Sequence, residues 1–479
     1  KKSIIPSVLA SGDYYKIEVK ETGMYKIDKN FLSQAGINVS GIDPRTIKIY
    51  GNGGAELPYL NSASVPEDLV QNPIFVFGEQ DGVFDDNDFI LFYGQSPHQW
   101  FLQGQAFFHK INTYSNSNFY FITFGGVNGL RMYENASPNV PNLEPLNFFT
   151  DKFFEEPEVN NLGTTGNLWV SQRIGYNEFF SFNKPLPGYV PGSLIKCKLV
   201  LGNGGSQDAT YLIKDDNSGF STYQYIYGVN GVFSHITLSS LSFEYVLNSG
   251  SSNLNLIASL PNQLNYPSVS GYYDYLEVFY NRTTNSALNN LLKITSPDTI
   301  GTIEYQASPF NSSSVKIFKV SAFNEISIIN PLSYSNSVVR FQDNTNYSSI
   351  KDYYIIGDNS YKTPSSISAK ISNQNIRGIS EGADFIIFTA SEFLSAANRL
   401  KAQREAPGEG NPNYLKTIVF ELNQVYNEFS GGLLDPVAMR NLLKYAYNNW
   451  TKRPVYVLFL GDGSFDYKNI YNLNFKNYV

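Results

Sequence analysis

Cysteine is close to missing from this sequence: across 479 residues the only thiol is Cys197. One thiol excludes an internal disulfide framework and every zinc site built on several cysteines. Histidine is almost as scarce. His98, His109 and His235 are the whole set, which leaves little material for histidine-based metal or proton-transfer chemistry. No apolar run nears the roughly 18 residues that cross a bilayer as a helix, so the chain reads as having no transmembrane segment of its own. The opening Lys1-Lys2-Ser3-Ile4-Ile5-Pro6 lacks the long apolar stretch of a secretory signal. Charged residues reach only 16%, and 35 Lys plus Arg against 42 Asp plus Glu leaves −7. That balance offers no basic face for nucleic acid.

What is present points to sheet. Hydrophobic residues make up 42% of the chain, enough to fill large cores, and the length corresponds to about three domains. Tyr and Phe number 35 each against 3 Trp, a bias that suits pleated surfaces. Abundant Asn, Ser, Gly and Tyr with almost no Cys fits a bacterial exported protein.

Residues 1–145 alternate short apolar runs with turn clusters and read as a small β-rich domain. Period-two alternation marks strands at 15–19 and 46–50, with others expected at 73–77, 88–93 and 119–124 and one helical turn at 29–34. Residues 146–356 read as an antiparallel β-sandwich. Its clearest strands are 193–201, 211–213, 243–247, 273–280 and 315–320, and 343–349 reads as a polar surface loop. Residues 357–383, rich in Ser, Asn and Gly, read as a linker. From 384 to 479 the character changes. Apolar runs at 385–388, 417–420 and 455–460 predict parallel strands covered on both faces. Ser391 is placed to cap a helix carrying Phe393, Ala397 and Leu400. Asp435 and Pro436 are placed to open a second, whose stripe of Met439, Leu442, Leu443, Ala446 and Trp450 faces the sheet. The sequence stops 19 residues after position 460, which reads as an end inside this α/β domain.

Few residues offer chemistry. Cys197 lies in the alternating Ile195-Lys196-Cys197-Lys198-Leu199 and reads as core filling on a strand. A nucleophilic thiolate needs a neighbouring base, and His235 is the nearest histidine in sequence. No Gly-x-Ser-x-Gly elbow occurs. Gly51-Asn52-Gly53-Gly54 lacks the Lys-Ser/Thr of a phosphate loop. Gly461-Asp462-Gly463-Ser464 follows a parallel strand, where α/β sites form, and Asp462 and Asp466 are candidates to shape one. Asp81-Gly82-Val83-Phe84-Asp85-Asp86-Asn87-Asp88 gathers four carboxylates of the kind calcium favours, without the EF-hand order. Turn chemistry explains the same residues.

Three stretches resemble a known family. Gln424-Val425-Tyr426-Asn427-Glu428-Phe429-Ser430-Gly431-Gly432, Asp435-Pro436 with Met439-Arg440-Asn441, and Tyr456-Val457-Leu458-Phe459-Leu460-Gly461-Asp462-Gly463-Ser464-Phe465-Asp466-Tyr467 are similar to the opening of a gingipain-like cysteine peptidase domain. Ile47-Lys48-Ile49-Tyr50-Gly51-Asn52-Gly53-Gly54 with Leu57-Pro58, Asp81-Gly82-Val83-Phe84, and Asp88-Phe89-Ile90-Leu91-Phe92-Tyr93-Gly94 agree with the family's surface sortases of type IX secretion. Tyr273-Asp274-Tyr275-Leu276 fits their middle sandwich more loosely.

The resemblance implies two β-rich domains, a small one and a sandwich, followed by the start of a caspase-like α/β peptidase domain with a parallel sheet. It also implies a cell-surface sortase that removes the C-terminal sorting domain from secreted cargo. Cargo then passes through a cysteine acyl-enzyme to anionic lipopolysaccharide. The implied setting is the outer face of the outer membrane, where a β-barrel shuttle of the PorV-like kind holds the chain peripherally. The family's catalytic histidine stands in a Gly-His-Gly context and its cysteine in a Thr-Cys context, and neither occurs here. Cys197, His98, His109 and His235 are not their counterparts, and the dyad is expected beyond Val479. No catalytic, cofactor-binding or metal residue is assigned. The competing reading is a non-catalytic surface scaffold, or an adhesin or carbohydrate-binding β protein.

Overall fold

Up to residue 371 the chain is built mainly from strands, and in several of them burial alternates, as in Ala209–Asp215, where every second side chain is buried. The computed structural model describes residues 4–104, 106–138, 140–231, 234–261, 269–357, 360–406 and 414–472.

The amino-terminal region pairs a five-stranded sheet with a three-stranded one. The first runs in the order Ser366–Ile371, Tyr14–Val19, Asn118–Thr123, Lys48–Tyr50, Gln71–Asn72, and the second in the order Gly23–Asp28, Phe89–Gly94, Phe75–Phe77. Ile17, Ile27, Ile49, Ile90, Phe92 and Tyr120 fill the space between them. Helix α1 (Lys29–Gln34) forms where expected, capped by the Asp28 carboxylate on Phe31 N–H. One strand of the larger sheet comes from far along the chain. Ser366–Ile371 lies inside 357–383, read from sequence as a linker, and pairs antiparallel with Tyr14–Val19. Its Ser-Ile-Ser-Ala-Lys-Ile sequence is that of an edge strand, polar because only one side is paired.

Residues 146–356 hold two cores rather than one. The first is a sandwich of two four-stranded antiparallel sheets, one with Ile195–Asn203 and Gly271–Thr283 at its centre, the other with Ala209–Asp215 and Asn253–Ser259. The second core lies between a sheet centred on Lys316–Ala322 and one centred on Val338–Thr345, and contains Ile303, Tyr305, Ile317, Phe341 and Tyr353. Val338–Thr345 runs into the stretch expected as a loop. Asp343 is buried there because Tyr353 Oη (2.7 Å) and Lys319 Nζ (2.8 Å) meet its carboxylate. Tyr133–Ala136 joins the sheet centred on Lys316–Ala322, in parallel with Glu325–Asn330.

The last region is the expected parallel sheet. Thr417–Glu421 and Tyr456–Leu460 flank Phe385–Thr389, both in parallel. Helix α2 (Leu394–Glu405) follows the central strand, α3 (Leu422–Phe429) the second, and α4 (Val437–Asn449) precedes the third. Ala397 of α2 is buried, but Ser391 does not cap it; its hydroxyl turns to Glu392. Met439, Leu442, Ala446 and Trp450 are buried, whereas Leu443 is only half-buried. Helix α3, not expected from sequence, packs Val425, Tyr426 and Phe429 into the same core.

Candidate functional site

Two of the stretches that carry the family resemblance meet in space. The loop after Lys48–Tyr50 lies on the turn between α3 and α4. Gly431 and Gly432 take positive φ of 66° and 89° there, conformations that suit glycine. Gly432 brings its carbonyl to the buried Lys16 ammonium at 2.9 Å, and burial lowers that lysine to about 8. Asp435 sits before α4 with no exposed surface. Its carboxylate accepts from Val437 N–H, opening the helix as expected, and from Leu57 N–H across the boundary, both at 2.9 Å. Burial raises this carboxyl to about 6. Arg440 donates to the carbonyls of Pro58 and Tyr59.

The carboxyl ends of the parallel strands form the second part. Thr389 Oγ1 donates to the Leu460 carbonyl (3.0 Å), tying the central strand to the edge strand where the chain leaves the sheet. Asp466 is buried and accepts from Ile470 and Tyr471 N–H at 2.7 and 2.8 Å. Asp462 accepts from Gly463 N–H (3.0 Å). Both carboxylates, candidates to shape a site, therefore bind their own loop. That loop docks on the β regions. Lys468 pairs with Glu158 at 2.6 Å, Tyr471 Oη accepts from Asn161 N–H at 2.7 Å, and the Tyr467 ring meets Tyr114 at 4.9 Å.

Elsewhere the candidates separate. Cys197 is 3% exposed in the sandwich core, and burial, with Asp215 nearby, pushes its thiol well up. Leu199, Tyr211, Leu256 and Val278 belong to the same core. His98 accepts from Asn112 N–H through Nδ1 (2.9 Å), and burial lowers it to about 4. The 81–88 carboxylates are spent locally. Asp81 accepts from Val83, Asp85 from Asn87 and Asp88 from Asp85, each through a backbone N–H, and Asp86 pairs with Lys29 at 2.5 Å. Among the described residues no cluster of three or more His, Cys, Asp or Glu side chains is arranged to hold a metal ion.

One buried cluster was invisible in sequence. His109 is held between Glu277 (Nδ1, 2.6 Å) and Glu156 (Nε2, 2.6 Å). Burial disfavours its charged ring, but the two carboxylates outweigh that and raise it above 6.5. Residues 109, 156 and 277 are too far apart in sequence for spacing to have paired them.

Residues 379–479 match peptidase family C25, the span that holds the parallel sheet and α2 to α4. The fold is similar to that of part of PorU. The crystal structure of dimeric latent PorU from Porphyromonas gingivalis matches with a TM-score of 0.80 at 21% identity, over 97% of this chain and 43% of that one. The chain thus spans less than half of that PorU. An insecticidal delta-endotoxin, Cry8Ea1 from Bacillus thuringiensis, matches at 14% identity over 51% of this chain and 43% of its own, with a TM-score of 0.19, too low to bear on the fold. No curated protein sequence matches the chain.

Proposed function

We propose that the chain is the amino-terminal portion of a PorU-like cysteine peptidase of type IX secretion, acting as a surface sortase. The observation that carries this reading is the C25 match at residues 379–479 inside a PorU fold that extends through both β regions. In this reading a thiolate attacks the carbonyl of the bond joining cargo to its C-terminal sorting domain. An acyl-enzyme forms, and a histidine delivers a proton to the departing amine. Backbone amides hold the oxyanion. An amine of the anionic lipopolysaccharide acceptor then resolves the acyl-enzyme, or water does. Thiol and base come from polypeptide outside these 479 residues. The part played here is support: the 51–61 loop, Lys16, Asp435 and Arg440 fix the sheet, and the docked 461–472 loop fixes its carboxyl edge. The protein works at the outer face of the outer membrane, held there by a β-barrel partner of the PorV-like kind.

The test uses the complete protein and a reporter carrying a sorting domain, with products read by mass spectrometry. Release of the sorting domain, abolished when the peptidase-domain thiol is replaced by alanine, is the expected result. No release, or release indifferent to that thiol, would turn the reading to a non-catalytic surface scaffold.

A further inference from the structure

Glycine follows asparagine at four places: Asn52-Gly53, Asn128-Gly129, Asn203-Gly204 and Asn230-Gly231. Asparagine is a thermally labile side chain, and a following glycine makes it more so. Without a Cβ, the glycine nitrogen can come close to the side-chain carbonyl carbon of the residue before it. Attack at that carbon needs two freedoms. The glycine N–H must be clear of any hydrogen bond so that it can lose its proton, and the asparagine amide must be free to turn toward it.

Three of the four places lack at least one of these freedoms. Asn203 has no exposed surface; its Nδ2 donates to the Gln207 carbonyl at 2.7 Å and its Oδ1 accepts from Gly205 N–H at 2.9 Å. Gly204 N–H is itself bound to the Ser270 carbonyl at 2.8 Å. Asn52 is half-buried, its Oδ1 accepting from Val70 N–H at 3.0 Å while Nδ2 reaches the Asp68 carbonyl at 3.4 Å. Asn128 is exposed, so exposure alone does not set it apart. There the glycine is held: Gly129 N–H donates to the Arg45 carbonyl at 3.0 Å. Gly129 also packs so tightly that a Cβ on it would stand 2.1 Å from the Ile47 carbonyl oxygen.

Asn230-Gly231 differs from all three. Both residues are exposed, in the connection from Phe220–Ile226 to Thr237–Tyr245. Among the described residues no hydrogen bond engages the Asn230 amide or the Gly231 N–H. Gly231 takes part through its carbonyl, which accepts from Ser234 N–H at 3.3 Å.

We propose that Asn230 is a site of spontaneous deamidation, modified selectively while the chain is folded. The Gly231 nitrogen, deprotonated by hydroxide, attacks Asn230 Cγ. The side-chain nitrogen takes a proton from water and leaves as ammonia, which closes a succinimide ring. Water then opens the ring at either carbonyl. One opening gives aspartate, and the other gives isoaspartate, in which the chain runs through the former side-chain carbon. Either product adds a negative charge three residues beyond the exposed Tyr227. The site stands whether or not the peptidase reading holds, since water and hydroxide are the only co-reactants.

The test is incubation of the folded 479-residue chain at mildly alkaline pH, with digest peptides read by mass spectrometry and isoaspartate counted by enzymatic methylation. Asn230 should convert at least about fivefold faster than Asn52, Asn128 or Asn203, the factor set by a hydrogen bond that must first be broken. In concentrated urea no site is held, and the four rates should converge to within about twofold. Gly231→Ala should slow the reaction at Asn230 at least about threefold, because a Cβ hinders the approach of the nitrogen. The position is exposed, so that variant keeps the fold. The proposal is overturned if Asn230 converts no faster than the other three, if the ratio of rates is the same in urea, or if Gly231→Ala reacts at the parent rate.

Discussion

Leu442 and Leu443 are adjacent on α4 yet differ in surroundings. Leu442 has no exposed surface, whereas Leu443 is half-buried at the margin of the same core. Leu442→Ala should therefore lower stability by about 2–5 kcal/mol. Leu443→Ala should cost distinctly less, both read by reversible urea denaturation. Equal losses would place the helix differently against the sheet. Cys197 gives a second test at this scale. A thiol this buried should ignore an added disulfide reagent until the chain unfolds, and Cys197→Ala should cost only about 1 kcal/mol, within the usual range for single substitutions. Labelling of the native protein at the rate of a free thiol would contradict its place in the core. Periodicity identified which α4 residues face inward because a helix stripe is a local pattern. It did not separate Leu442 from Leu443, because that depends on what the neighbouring segments cover. Asp343 was misread for a similar reason: its polar neighbours resemble a loop, and the Tyr353 and Lys319 partners that allow its burial are not adjacent in sequence.

The hairpin of Gln99–Gln103 and Ala106–Lys110 is the element whose behaviour should depend most on pH. It lies against the sandwich through Trp100, which meets Phe154 at 5.6 Å and Phe279 at 5.4 Å, and through His109, stacked on Phe154 at 4.2 Å and edge-on to Tyr275 at 4.7 Å. The charged groups facing the ring are Glu156, Glu277 and Asp274, with Lys198 3.9 Å from Glu277. His109 is raised above 6.5, so its contribution is complete below about pH 6.5 and fades as pH climbs through the raised value. Glu277 is depressed below 4.5 by His109 despite its burial, so its share is present above 4.5 and lost in stronger acid. Burial, with Glu156 nearby, lifts Asp274 to about 7, so the folded carboxyl stays protonated where the unfolded one ionises and costs stability progressively from about pH 4 to 7. Docking should thus be firmest near pH 4.5 to 5, decline slowly to about pH 6.5 as the Asp274 penalty grows, and fall faster above that as His109 loses its proton. Hydrogen exchange of the hairpin amides across that range should follow this profile. His109→Ala should flatten it and cost about 3 kcal/mol by unpairing buried carboxylates. An unchanged profile in the variant would show that the ring is not the latch. The hairpin was missed in sequence because its alternation is weak, with side chains partly exposed on both faces. Helix α3 was missed because it starts directly after a strand and runs for only 8 residues, too short for a periodic signal to build up.

For the molecule as a whole, the expected outcome is that these 479 residues by themselves neither cleave nor transfer a peptide. The only thiol lies in the sandwich core, and no histidine follows His235 in the sequence. Without both halves of a dyad, several orders of magnitude in rate should be missing. Cleavage of a sorting-domain reporter by this chain, abolished by Cys197→Ala, would refute that placement. The architecture was legible from sequence where order within a segment was enough: β-rich first, then a parallel sheet with its helices. The meeting of the 51–61 loop with Asp435 and Arg440 was not, because those partners lie nearly four hundred residues apart.

The pairing of Ser366–Ile371 with Tyr14–Val19 sets a schedule for folding. Tyr14 lies opposite Ile371, so the first sheet keeps a bare edge until most of the chain has been made. Contacts this distant form late, because the intervening loop must be closed first. A chain ended at residue 360 should leave that edge open to pairing with other molecules and should self-associate; a chain ended at 379 should stay dispersed. Light scattering of the two truncations during refolding would decide it, and equal scattering would mean that the late strand protects nothing.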